Sequence, residues 1–315
     1  MALDALAGDP RRWHPVAAFG RMAAAAEARD YADSRARGAL HAAACVLAAA
    51  APAAAVARLA RRRPLLTAVA VVLTTWAVTG ARSLHTEAER IGASLSAGDL
   101  PAARRALPAL CGRDPSSLSD KEIARAVIES VAENTSDAVV APLLWGAAAG
   151  LGGMAGYRAV NTLDAMVGHR SPRYHRFGWA SARLDDAANW IPARVTAALT
   201  VACAPVAGGS PAAALRAVRT YGARHPSPNA GRCEAAFAGA LGLRLGGTNV
   251  YDGVPETRPE LGDGRAPDAA DIHRAVRLSR AVSFAATALA VAVARCGPRR
   301  DITRPGRPKG LPRPR

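Results

Sequence analysis

The sequence predicts an all-α, polytopic integral membrane protein with extramembrane helices and loops, and three observations carry that prediction. Residues 42–57, 64–80 and 138–157 contain no charged side chain. Such runs approach or reach the roughly 17–20 residues a helix needs to cross hydrocarbon. Half of the 315 residues are apolar but only 4% are aromatic, and alanine supplies much of the apolar fraction. Mean hydropathy is therefore only +0.04 and understates membrane character. Finally, acids and amides gather in short clusters beside the charge-free runs instead of spreading evenly.

In chain order, MALDALAGDPRRWHPVAAFGRM lacks the basic start and apolar run of a secretory signal. Gly8-Asp9-Pro10 and His14-Pro15 are turn formers ahead of a helix starting near Val16, with Asp9 available as a loop cap. Gly38–Leu59 and Pro64–Gly80 are expected to be two hydrophobic helices joined by a tight turn bearing Arg58, Arg61, Arg62 and Arg63. Pro52 falls inside the first, which a membrane helix tolerates. The competing reading is a helical hairpin buried in a soluble protein. The positive-inside tendency would put Arg61–Arg63 in the cytoplasm.

Arg82–Ser119 is polar, with helix signals at His85–Leu95 and Leu100–Leu107. Beyond the central stretch, Ile191–Gly209 is apolar apart from Arg194. Residues 210–279 are soluble in character, with a helix from Asn229 to Leu243 and a turn-rich loop at Gly246–Gly253 that lacks the phosphate-loop pattern. Asp271–Arg280 reads as a helix running into apolar Ala281–Ala294. Residues 1–296 thus form the membrane domain, and the Pro/Arg-rich residues 297–315 are expected to be a disordered basic tail.

The net charge of +16 comes almost wholly from arginine, since Lys121 and Lys309 are the only lysines. That balance suits phosphate groups or an anionic membrane surface. Nucleic acid is not an expected partner, because the arginines are dispersed among apolar helices and stacking aromatics are few. The five cysteines are far apart and form no C-x-x-C, so they indicate neither zinc nor a disulfide framework.

The central stretch, Lys121–Arg194, holds most of the candidate chemistry. Helical residues four apart advance about 400°, so Glu129, Glu133 and Asp137 line one face, opposite Ile123, Val127 and Val131. Asn161 and Asp164 lie one turn apart, and Asp185 and Asp186 are within four residues of Asn189. Clustered carboxylates and amides are hard oxygen donors of the kind that hold Mg²⁺ on a phosphate. Arg194, inside an apolar run, is expected to face the Asp185/Asp186 pair. If residues 138–157 cross the bilayer, Asp137 and Asn161 emerge on opposite sides. Gly146, Gly150, Gly152, Gly153 and Gly156 permit a re-entrant or broken helix instead. Ser227 and Asn229 with Arg232 form either an anion site at a helix start or simply the start of a helix.

The blocks ESVAENTSDAVVAPLLWG, YRAVNTLDAMVGHRSPRYHRFGWASARLDDAANWIPAR, HPSPNAGRCEAAFAGALGLRLGG and GDPRRWHPV resemble the CobD/CbiB family of cobalamin biosynthesis, from about Gly8 to Ala294. The resemblance implies a multi-pass protein of the cell (inner) membrane that acts as adenosylcobinamide-phosphate synthase. Such an enzyme joins adenosylcobyric acid, a corrinoid, to (R)-1-amino-2-propanol phosphate or the free aminoalcohol as an amide, with ATP and Mg²⁺. Other cobalamin-pathway enzymes are then possible partners, besides the lipid bilayer. The family usually carries an apolar helix before the GDP and HPV segment, so here a shortened first span or a late assigned start is expected.

On that reading Glu129, Glu133, Asp137, Asp164, Asp185 and Asp186 are catalytic candidates, with Asp137, Asp185 and Asp186 on the metal. Arg158, Arg183, Arg194 and Arg232 face phosphate, and Asn161, Asn189, Ser227 and Asn229 orient substrates. His169 or His225 takes the ammonium proton, or else caps or packs. Two alternatives remain: an intramembrane Mg²⁺-dependent prenyltransferase-like enzyme, whose paired N/D-x-x-x-D motifs are matched incompletely here, and a non-catalytic corrinoid carrier or scaffold.

Overall fold

Alanine-rich sequence gives two long helices whose outer faces none of the described residues covers. The computed structural model describes residues 3–4, 8, 14–169, 171–251 and 254–296. Asp9 as a loop cap, and the tail 297–315, lie outside the described residues. Helix α1 (Pro15–Asp30) starts where His14 Nδ1 accepts the Val16 N–H at 3.1 Å. Helices α2 (Arg35–Ala60) and α3 (Pro64–Val78) follow, with Pro52 inside α2. Leu40, Leu47, Leu59 and Leu65 are 64–82% exposed. A hairpin buried within the protein is thereby excluded, and leucines left open in this way fit a lipid-facing surface. Among the described residues five helical stretches are long and apolar enough to cross a membrane, and the chain is a polytopic α-helical membrane protein.

The polar segment that follows folds as α4 (Ala81–Ser96), α5 (Leu100–Ala106) and α6 (Asp120–Thr135). Helix α6 opens on a capping box, with Ser119 and Glu122 satisfying each other's backbone N–H groups. Its apolar face, with Ile123, Val127, Ile128 and Val131, packs into the main core beside Ile91, Phe237, Ile272 and Leu278. A π-helical turn, Ser136–Val140, then leads into α7 (Ala141–Val167).

Helix α7 breaks at Gly150, whose φ of 66° and ψ of −157° are non-helical. Asn161 Nδ2 lies 3.2 Å from Asp137 Oδ2, 24 residues earlier. A continuous helix would hold these residues about 36 Å apart, so the chain reverses at Gly150. The two arms touch: a Cβ on Gly153 would sit 2.7 Å from Trp145 O, and one on Gly146 would meet Met154 Cε at 2.3 Å. Residues 138–157 are therefore a re-entrant helical hairpin with an exposed tip at Ala148–Gly150. By helical rise the charge-free arms are about 18 Å (138–150) and about 10 Å (150–157) long, each short of a hydrocarbon core of roughly 30 Å.

The return arm runs antiparallel to α2, with Gly152 against Ala50 and Ala54 and Gly156 against Val46 and Ala50. The tip thus approaches the end of α2 that carries the Arg58–Arg63 turn, and the polar end of the hairpin faces the opposite end.

Helices α8 (Tyr174–Phe177), α9 (Trp179–Ala188), α11 (Pro211–Tyr221) and α12 (Ala230–Leu241) complete the polar side, and α10 (Trp190–Cys203) belongs to a stretch long and apolar enough to span. The expected loop at Gly246–Gly253 is instead part of an antiparallel hairpin, β1 (Leu245–Tyr251) and β2 (Val254–Leu261). Tertiary bonds impose it. Arg125 of α6 donates to the carbonyls of Gly246 and Thr248, and Glu129 Oε1 accepts the Gly246 N–H at 2.7 Å. Only glycine fits at 246, where φ is 84° and a Cβ would lie 2.2 Å from Pro259 O. The last helix, α13 (Ala269–Cys296), is continuous from the polar side past the core to the level of the hairpin tip, where Ala290, Val291 and Ala294 line one apolar groove with Gly150.

Candidate functional site

Three chain segments bring acids and amides to one small cleft on the polar side of the re-entrant hairpin. The π turn supplies Asp137, the return arm of α7 supplies Asn161 and Tyr157, and the end of α9 supplies Asp185 and Asn189. Asn161 Nδ2 is 3.2 Å from Asp137 and 3.4 Å from Asp185, which lie 24 residues to either side of it. Asn189 Nδ2 donates to the other Asp185 oxygen at 3.0 Å, and Tyr157 donates to Asn189 Oδ1 at 2.8 Å. Glu133, Ser136, Ser227, Asn229 and Cys233 complete the walls.

The widened turn that aims Asp137 is held at its start by a polar chain through the core. Thr135 Oγ1 bonds Val131 O and Ser279 Oγ, both at 2.6 Å, and Ser279 Oγ lies 2.8 Å from His85 Nε2. π-helical turns of this kind are frequent at functional sites.

Burial holds the Asp185 carboxyl above the usual aspartate range. The amides of Asn189 and Asn161 pull it back, and the neighbouring Asp186 charge pushes it further up.

The remaining candidates are distributed around this centre. Asp164 lies within charge reach of Asp185, Asp186 and Glu133, and Arg158 within reach of Asp137. Asp186 sits at the rim, with Oδ2 3.6 Å from Arg183 of its own helix. Burial raises its carboxyl, with Arg183 opposing. Ser227 caps α12, its Oγ accepting the N–H groups of Asn229 and Ala230 at 3.3 and 3.2 Å. Asn229 does not cap; its Nδ2 donates to Asp186 O at 2.8 Å. His169 is exposed and packs edge-on against Tyr174. His225 is buried behind the Ser227 loop and is not among the groups lining the cleft.

Two expectations change. Arg194 does not pair with Asp185 or Asp186. It stacks 3.9 Å above the Trp190 ring, donates to Trp190 O at 2.7 Å and reaches Asn229 Oδ1 at 3.5 Å, with Arg232 in charge range. The cause is local: α10 begins at Trp190, so Arg194 is one turn along and folds back over that ring. Glu129 leaves the acidic stripe. It forms an ion pair with Arg113, both side chains about 5% exposed, and secures β1 through Gly246.

Sequence reasoning missed Arg113, Arg258 and Glu234. Arg258 on β2 lies within charge range of Glu133 and Glu234, and Arg113 also reaches both. Glu234 is 3% exposed. Burial lifts its carboxyl well above the ordinary value, and the charges of Glu129 and Glu133 add to the effect. A signal was present, because Glu234 is the only acid in α12, whose one other charged residue is Arg232.

Among the described residues no group of three or more His, Cys, Asp or Glu side chains forms a metal cage. Asp137 and Asp185 supply two carboxylates across one amide. That donor set suits Mg²⁺ completed by substrate phosphate oxygens and water, and it does not suit zinc.

A family model described as CobD/Cbib protein matches residues 1–279. The chain is 55% identical over 289 residues to the cobalamin biosynthesis protein CobD of Mycobacterium tuberculosis, covering 92% of each chain. It is 46% identical to the protein of that name from Geobacter metallireducens, over 88% of this chain and 89% of that one. The corresponding figures for the Chromobacterium violaceum protein are 42%, 93% and 94%. No solved structure matches.

Proposed function

The chain belongs to the CobD/CbiB family and has a role in cobalamin biosynthesis, and from that premise we propose that it is an ATP- and Mg²⁺-dependent acid–amine ligase. Its substrates on this reading are adenosylcobyric acid and (R)-1-amino-2-propanol phosphate, or the free aminoalcohol. The balanced reaction converts carboxylate, ammonium and ATP into amide, ADP, phosphate and a proton. The observation that carries the reading is the convergence of Asp137 and Asp185 on Asn161 at a cleft, with Arg158 in charge range of Asp137 and Arg194 reaching Asn229 of the wall.

A carboxylate and an ammonium do not condense unaided in water, so one partner needs a leaving group and the other must lose a proton. ATP supplies the leaving group, and bound Mg²⁺ would offset phosphate charge. The protein's part is positioning and electrostatics. Asp137 and Asp185 would hold the ion. Arg194 and Arg232, close together at the start of α12, and Arg183 at the rim offer positive charge to phosphate. Arg158 behind Asp137 limits the repulsion between the acids. Glu133 is exposed to the cleft and is placed to hold the ammonium and take its proton.

The cleft is small, about 20 Å³ and room for about one water, so the substrates would have to part its walls, and it has no room for a macrocycle. The corrin ring would lie outside, with only its propionate reaching in. Purified protein in detergent, given adenosylcobyric acid, the aminoalcohol phosphate, ATP and Mg²⁺, should yield the amide and ADP in equal amounts by mass spectrometry. Failure of that reaction with active, folded protein overturns the proposal.

A further inference from the structure

The segment His225–Asn229, which carries no large apolar side chain of its own, enters the cleft wall through Ser227 and Asn229. The imidazole of His225 holds it at one end. His225 Nδ1 accepts the Ser227 N–H at 3.0 Å. In the neutral ring that places the proton on Nε2, which faces Glu234 Oε1 at 4.0 Å. His225 is 9% exposed and Glu234 3%. The ring sits in a notch that only glycine leaves open, since a Cβ on Gly231 would lie 2.3 Å from His225 Cβ.

From Ser227 the chain of contacts continues outward. Ser227 Oγ takes the N–H of Asn229, and Asn229 then joins Asp186 O to Arg194. The imidazole, with the Glu234 carboxyl 4.0 Å behind it and beyond hydrogen-bond distance, is thereby linked through one short loop to the end of α9 that bears Asp185 and to the arginine on α10. At 4.0 Å the Glu234 carboxyl faces Nε2 from beyond hydrogen-bond range, and the Ser227 N–H on Nδ1 is the bond that sets the neutral ring's tautomer and orientation.

We propose that Glu234 and His225 are positioning residues, which set the Ser227–Asn229 loop and through Asn229 hold Arg194 and the end of α9 in register for phosphate. This rests on the ligase reading for its kinetic consequence, but not for its structural one. His225 is not a general base here, because its ring lies behind the loop with Nδ1 already occupied by a backbone N–H.

The test compares His225→Ala, His225→Asn and Glu234→Leu in full-length protein in detergent. Asparagine places its Oδ1 near the position of Nδ1 and keeps the acceptor for Ser227. Hydrogen exchange at residues 226–230 should quicken in His225→Ala and Glu234→Leu and stay slow in His225→Asn. With substrates, His225→Ala should raise the KM for ATP or for the aminoalcohol phosphate roughly 10–100-fold, the range found for supporting residues. The change in kcat should be smaller, and His225→Asn should recover most of the loss.

A large fall in kcat that asparagine does not recover would make His225 a base and overturn the proposal. Exchange at 226–230 unchanged in every variant would overturn it as well. If the wild-type protein has no ligase activity, the exchange comparison still decides the positioning role, so the two failures are distinguishable.

Discussion

Asn161 Nδ2 lies between Asp137 at 3.2 Å and Asp185 at 3.4 Å, one amide spanning two acids from opposite flanks of a re-entrant hairpin. Two carboxylates this close repel each other, and an amide offsets only part of that repulsion. A cation bound between them would offset the rest. Asp137→Asn and Asp185→Asn preserve shape and remove one charge each. Each should lower turnover by orders of magnitude at saturating ATP and Mg²⁺ while the protein still inserts. The double variant should lose much less than the product of the single losses, because the pair acts as a unit. Near-normal turnover in both single variants would sink the shared site.

The same pair makes stability depend on pH. The Asp185 carboxyl is raised by burial, with Asp186 adding to it. A raised folded value favours the protonated native state, so this contribution is full below the ordinary aspartate pKa of about 3.9 and is lost as pH rises through the folded value. In detergent without divalent ions, Tm should therefore decline more steeply with rising pH above that point in wild type than in Asp185→Asn. Parallel curves for the two proteins would contradict it.

Glu129 is expected to matter for folding and not for chemistry. Arg113→Ala leaves its carboxylate buried and facing no guanidinium, a change that costs roughly 3–5 kcal/mol in comparable buried pairs. Thermal unfolding in detergent should shift down sharply. The double variant Arg113→Met/Glu129→Leu should recover part of the loss. Unchanged unfolding of Arg113→Ala would show that the pair is dispensable.

The reversal at Gly150 predicts which positions share a side of the membrane. On a cysteine-free background, Lys121→Cys before the hairpin and His175→Cys after it should react with an impermeant thiol reagent from the same face of sealed vesicles. Arg62→Cys, in the turn between α2 and α3, should react from the other face. Labelling of Lys121→Cys and His175→Cys from opposite faces would mean that residues 138–157 cross.

Much of this was legible in the sequence, for identifiable reasons. Charge-free runs reported the membrane helices directly, since burial in lipid tolerates little else. The hairpin's glycines marked where arms approach closely, but sequence could not choose between crossing and returning. That choice depends on Gly152 and Gly156 meeting α2, a contact between residues about a hundred positions apart. The acidic stripe was read as one helical face, and Glu129 left it because Arg113, from a loop with no periodic signal, was close enough to pair. The β hairpin was invisible because Arg125 and Glu129 hold its glycine-rich first strand from another helix. Arg194 was assigned to the nearest acids in sequence, whereas the nearest surface in space was the ring of Trp190.

The break at Gly150 also bears on how the protein is assembled. Neither arm of the hairpin is long enough to be retained as a span on its own, and the grooves that receive its glycines belong to α2. Because α2 and α3 precede the hairpin in the chain, synthesis from the N-terminus delivers the receiving surface before the segment that needs it. The hairpin then enters and leaves by one compartment, adding nothing to the count of crossings. Swapping the order of these segments by circular permutation would present the hairpin before its seat exists, and the expected product is a chain that integrates yet never forms the acid pair.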